Sequence, residues 1–124
     1  MIFGIGNDLM EVDRIRLRIN QEAGFREMVF SSDEIRYCET KLNPFEFYAA
    51  RFAAKEAFLK ALGTGWIKGT AFNEIEVTHN NQGKPEFNFL GETRKTMDKF
   101  NIRKIFISLT HLKSIASAVV IIEK

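Results

Sequence analysis

Hydrophobic and polar positions change rhythm along this chain, and each change marks an element. "MIFGIGND" has strand character and is expected to end at Asn7-Asp8, after Gly4 and Gly6 interrupt regular structure. "EVDRIRLRINQEAG" then takes helical spacing, with Val12, Ile15 and Ile19 on one face and Gly24 as a stop. Ser31, three residues before Glu34, has the form of a capping box and predicts a short helix. Asn43-Pro44 breaks the chain and opens a longer helix over about 45–62. "FNEIEVTH" and "EFNFL" alternate as strands do, joined through the turn residues 80–85. "GETRKTMDKFN" predicts a helix. "KIFISLTH" puts Ile105, Ile107 and Leu109 on one face, and "SIASAVVIIE" is apolar enough for a strand covered on both faces.

Helices come early and strands late, with one strand at the start. That order predicts an α+β fold in which an antiparallel sheet packs against helices, as one domain over residues 1–124. Twelve Phe against one Trp and two Tyr favour large buried aromatic contacts, in the core or between subunits. A net charge of +2 gives no ground for a general nucleic-acid binder. The single cysteine, Cys38, rules out an intrachain disulfide and a multi-cysteine metal site, and is read as an ordinary buried thiol. His79, at the hairpin turn, is read as a surface residue. No basic leader or long apolar run is present, so no membrane partner is expected, and the location expected is the cytoplasm.

The helix containing "RFAAKEAFLKALGTG" carries the candidate chemistry. At one turn per 3.6 residues, Glu56 and Lys60 lie about 40° apart, and Ala49 and Ala53 share their strip. Small neighbours are expected to leave room for a ligand against the charged pair. A plain i,i+4 ion pair, worth about 0.2–0.5 kcal/mol, accounts for the same two residues. Gly63-Thr64-Gly65 follows the helix, at its negative end, so a phosphate loop is excluded and Gly63 reads as a left-handed cap. Asp8, expected at a strand end, supplies a second carboxylate. Two carboxylates beside lysines suit magnesium on a pyrophosphate, because magnesium keeps waters and takes few protein ligands.

Three stretches, "GIGNDLMEVDRI", "RFAAKEAFLKALGTG" and "ISLTHLKSIASAVVI", resemble the signature regions of the holo-acyl-carrier-protein synthases, the small 4′-phosphopantetheinyl transferases. "NQGKP" is similar to the hairpin turn of that family. The resemblance implies transfer of 4′-phosphopantetheine from coenzyme A to a serine of apo acyl carrier protein, with release of adenosine 3′,5′-bisphosphate. It implies Asp8 and Glu56 as magnesium ligands and Lys60 beside the coenzyme A phosphates, the three forming the catalytic set. Arg51, Gly63, Thr64 and Gly65 would line the nucleotide site. His111 would reach the same cleft from a neighbouring subunit of a homotrimer. Arg14, Leu17, Arg18 and Gln21 on the first helix would dock the acidic carrier protein. Ile115 departs from the aromatic that many relatives place there.

The residue types suit phosphoryl transfer, where positioning and charge stabilisation do most of the work. The base that takes the serine proton is left between Glu56 and a water held by magnesium. The water is preferred, since a carboxylate engaged with a cation is a weakened base. Two other readings stay open: a magnesium-dependent hydrolase of the coenzyme A pyrophosphate, and a non-catalytic module that binds carrier protein.

Overall fold

The structure is a computed structural model that describes residues 1–124. Its elements run β1 (Ile2–Glu11), α1 (Val12–Gln21), α2 (Phe25–Val29), α3 (Ser32–Glu39), α4 (Pro44–Leu62), β2 (Ile75–His79), β3 (Pro85–Phe89), α5 (Gly91–Asp98), β4 (Lys104–His111) and β5 (Ile115–Glu123), with a 3-10 turn at Phe72–Glu74 before β2. The α+β class expected from the order of patterns is the class found. β1, β5 and β4 form an antiparallel sheet in that order, and β2 pairs with β3 as a separate hairpin. The sheet lies along α4.

α4 differs from its expected character. It is buried on nearly every side from Tyr48 to Leu62, as a helix does when it forms the middle of a core. Ala53, Phe58, Leu59 and Leu62 pack with Ile75, Val77, Val120 and Ile122. Towards the other end, Tyr48, Ala49 and Phe52 pack with Val12, Ile15, Phe25 and Phe30. The alanines leave no open room: β1 meets the backbone at Ala57 and Ala61, and Ala49 and Ala53 are closed inside the core. A side-chain carbon on Gly4 would collide with the Ala61 carbonyl, and one on Gly6 with the Ala57 carbonyl, so strand and helix backbones meet directly.

Those glycines therefore permit the strand instead of ending it. β1 runs on through Asp8 to Glu11, which places Asp8 mid-strand, on the face that Gly4 and Gly6 turn towards α4. β5 departs as well. Ala116, Ala118, Val120 and Ile122 are buried, while the alternate residues facing away from α4 are only half-covered in the single chain. Beside them on β1, Ile5 is 66% and Leu9 64% exposed.

The capping box forms with both arms, and its glutamate does more than cap. Glu34 Oε1 accepts from the Ser31 amide and from Lys55 Nζ at 2.9 and 2.6 Å, and Oε2 accepts from the Val77 amide at 2.9 Å. Lys55 also donates to the carbonyls of Val29 and Phe72 at 2.8 and 2.7 Å. Neither side chain of this pair is accessible to solvent. Burial pulls the Lys55 pKa down while the Glu34 charge pulls it back up. One buried ion pair thus ties α4 to α2, α3, the 3-10 turn and β2. The five-residue α2 had no pattern of its own in the sequence.

Candidate active site

Asp8 projects from β1 onto the last turns of α4. Lys60 Nζ donates to Asp8 Oδ1 and to the Asn7 carbonyl, each at 3.0 Å. Asp8 Oδ2 is buried and has no partner. Glu56, one turn earlier on α4, is half-buried; burial first, and the Asp8 charge second, raise its pKa above the ordinary carboxylate value, while Lys60 draws it down. Asp8, Glu56, Arg14 and Arg18 line one cavity of about 300 Å³, together with Leu9, Met10, Ile15 and Phe52. Two carboxylates that repel across a small cavity, one with an orphaned oxygen, form a donor set that fits a hard cation.

The sign of the Glu56 shift has a consequence for stability. A raised carboxylate pKa means that the folded chain binds the proton more tightly than the unfolded chain. The ionised form therefore opposes folding above the folded-state pKa, and this opposition fades as pH falls through the window down to the unfolded value. Asp8→Asn is expected to move the Glu56 titration towards the ordinary value, and Lys60→Met to move it further up. Carboxyl-carbon NMR titration of the two variants checks both directions; no movement in Asp8→Asn would leave burial as the sole cause.

The first helix faces this cavity. Arg14 and Arg18 line it, Leu17 is 48% exposed, and Gln21 follows on the exposed surface one turn further. Arg18 is braced by Glu22 at 3.0 Å and lies over the Phe25 ring at 4.2 Å. At the end of α4, Gly63 caps the helix with a φ of 80°, its amide donating to the Leu59 and Lys60 carbonyls. Thr64 and Gly65 follow on the surface, Gly65 at a φ of 62°.

Arg51 and His111 lie elsewhere. Five residues separate Arg51 from Glu56, which turns its side chain about 140° away around α4. It is buried, its guanidinium over the Tyr37 ring at 4.3 Å, with one long bond to the Phe47 carbonyl and its Nε unpaired. His111, at the end of β4, meets Glu46 at 2.8 Å in the first turn of α4. His79 is exposed as expected, yet its ring stacks on Tyr37 at 5.1 Å. There, loss of water first, then the charges of Arg51 and Lys41, hold its pKa below the usual histidine value. Cys38 is fully buried, and desolvation pushes its thiol pKa up to about 12, too high for a nucleophile at neutral pH. The nucleotide residues expected from the sequence thus divide between two faces of α4 within one chain. Glu46 had no signal in the sequence, because its partner is 65 residues away.

The 4′-phosphopantetheinyl transferase superfamily matches residues 4–120. The chain is 42% identical to a holo-acyl-carrier-protein synthase of Maridesulfovibrio salexigens over 100% of both chains. Its fold matches the crystal structure of the holo-acyl-carrier-protein synthase from Neisseria meningitidis with a TM-score of 0.90, 34% identity and 100% of both chains covered. It also matches the Helicobacter pylori synthase, solved in complex with coenzyme A, with a TM-score of 0.81 and 31% identity over 96% of this chain and 99% of that one. The chain belongs to the 4′-phosphopantetheinyl transferase superfamily, with holo-acyl-carrier-protein synthases as its relatives.

Proposed function

We propose that this chain transfers 4′-phosphopantetheine from coenzyme A to a serine of apo acyl carrier protein, with magnesium as cofactor. The observation that carries the reading is the meeting of Asp8 and Glu56 at one cavity shared with Arg14 and Arg18 of α1, with Lys60 bonded to Asp8. Asp8 and Glu56 would hold magnesium, which supplies Lewis-acid stabilisation of the pyrophosphate. The serine hydroxyl gives its proton to a water in the cavity as its oxygen bonds to the β-phosphorus, the bond from that phosphorus to the bridging oxygen breaks, and adenosine 3′,5′-bisphosphate leaves. Lys60, 54% exposed and 3.0 Å from Asp8, offsets the charge that grows on the leaving phosphate. Release of the bisphosphate is expected to require apo carrier protein. Release from coenzyme A alone would favour the hydrolase.

Arg14, Leu17, Arg18 and Gln21 form the docking face for an acidic carrier protein in this reading, since they flank the cavity where the serine must arrive. Arg14→Glu is expected to raise KM for carrier protein about tenfold or more, through like-charge repulsion, and to leave KM for coenzyme A nearly unchanged. Equal effects on both substrates in steady-state assays would remove α1 as the docking face.

The active form in this reading is a homotrimer. Ile5, Leu9, Val119, Ile121 and Phe106 lie on the sheet face turned away from α4, an apolar surface that a single chain leaves to water. Assembly also accounts for His111, which would reach the nucleotide site of a neighbouring copy beside its Gly63, Thr64 and Gly65; Arg51, buried against Tyr37, would support that wall from within its own chain. Ile5→Asp is expected to convert the trimer to monomer in light scattering and to lose most transferase activity. A wild-type monomer with full activity would overturn the shared site.

A further inference from the structure

His111 is held on two sides. Its Nδ1 lies 2.8 Å from Glu46 Oε1, and the Phe47 ring meets the imidazole edge-on with centroids 4.9 Å apart. Both members of the pair are sheltered, with side-chain exposures of 29% for His111 and 14% for Glu46. An ionised carboxylate only accepts hydrogen bonds, so the nitrogen facing Glu46 must carry the hydrogen. Nε2 has no partner within the chain and becomes the acceptor of the neutral ring, or a second donor when the ring is charged.

We propose that Glu46 is a positioning residue that locks His111 in the Nδ1–H tautomer and so fixes Nε2 as the nitrogen presented to coenzyme A. This rests on the transferase reading. The role belongs to the pair: Glu46 sets which nitrogen is free, and Phe47 sets the plane in which it points. Other charges surround it. Lys113, Asp13 and Arg16 share a cavity of about 350 Å³ with Glu46. Lys41 lies over the Phe47 ring at 5.2 Å, and Arg51 reaches the Phe47 carbonyl. None of these bonds to the His111 ring, so Glu46 alone decides the tautomer.

A first-turn glutamate also favours a helix by meeting its positive end, so a loss of stability in a Glu46 variant would not identify the role. The tautomer does. With only two histidines in the chain, ¹⁵N-labelled protein gives two sets of imidazole signals, and His79 serves as the internal control. Long-range ¹H–¹⁵N spectra of the neutral rings are expected to show His111 as Nδ1–H. Glu46→Ala should convert it largely to Nε2–H and leave His79 unchanged. In transfer assays the same variant should raise KM for coenzyme A severalfold, up to about tenfold, the worth of one neutral hydrogen bond that Nε2 can no longer accept from a hydroxyl or amino group of the nucleotide, with a smaller change in kcat. An Nε2–H tautomer in the unsubstituted protein would overturn the proposal, as would a switched tautomer with unchanged KM. Failure of the transferase reading would show differently, as no transfer by the unsubstituted protein whatever its tautomer.

Discussion

Glu56→Gln is expected to lower kcat/KM for transfer by about 10³-fold while the fold persists, since cation stabilisation of a pyrophosphate is worth several kcal/mol and each 1.36 kcal/mol is tenfold in rate. The substitution keeps volume and shape but removes the charge. The Asp8 carboxylate, with its unpaired Oδ2, would then be the only anionic ligand for the cation. The burial and repulsion that raise the Glu56 pKa have no counterpart in glutamine, so the variant should be at least as stable as the parent. Steady-state assay at saturating magnesium, with thermal melting alongside, separates the two effects. Activity within tenfold of the parent would place the cation elsewhere or remove it from the reaction.

Lys55→Met is expected to cost about 3–5 kcal/mol of stability, the usual cost of leaving one member of a buried ion pair uncompensated. For a chain of this length that corresponds to a fall in Tm of about 10–20 °C. The loss falls on several elements, because the ammonium also serves the Val29 and Phe72 carbonyls. Lys55→Met with Glu34→Gln should recover part of the stability, since the second change removes the orphaned charge while glutamine can still accept at the N-terminus of α3. Melting of the two single variants and the double variant measures the coupling. A single variant that melts within a few degrees of the parent would mean that the pair contributes little and that water or another group reaches Glu34.

Local patterns reached the elements and failed where meaning depended on a distant neighbour. Val12, Ile15 and Ile19 announce α1, and Ser31 with Glu34 announces α3, because those signals lie within a turn or two of helix. Gly4 and Gly6 misled, since a glycine in a strand marks either a break or a close approach, and the approaching backbone is more than fifty residues away. The alanines of α4 misled for the same reason: small residues admit a ligand or a strand equally well. Lys55 went unassigned beside Glu56 and Lys60, although it is the one charge of the three fully sealed in the core. The gathering of Asp8 with Lys60 was expected only through the resemblance of separated motifs. Spacing alone cannot bring residues 52 apart into contact.

The most direct test is the intact mass of apo acyl carrier protein after incubation with this protein, coenzyme A and magnesium, beside a Glu56→Gln control. The expected result is a gain of one phosphopantetheine on the carrier, lost with a chelator and lost in the control. An unmodified carrier across several apo acyl carrier proteins, whether or not coenzyme A is broken down, would contradict it.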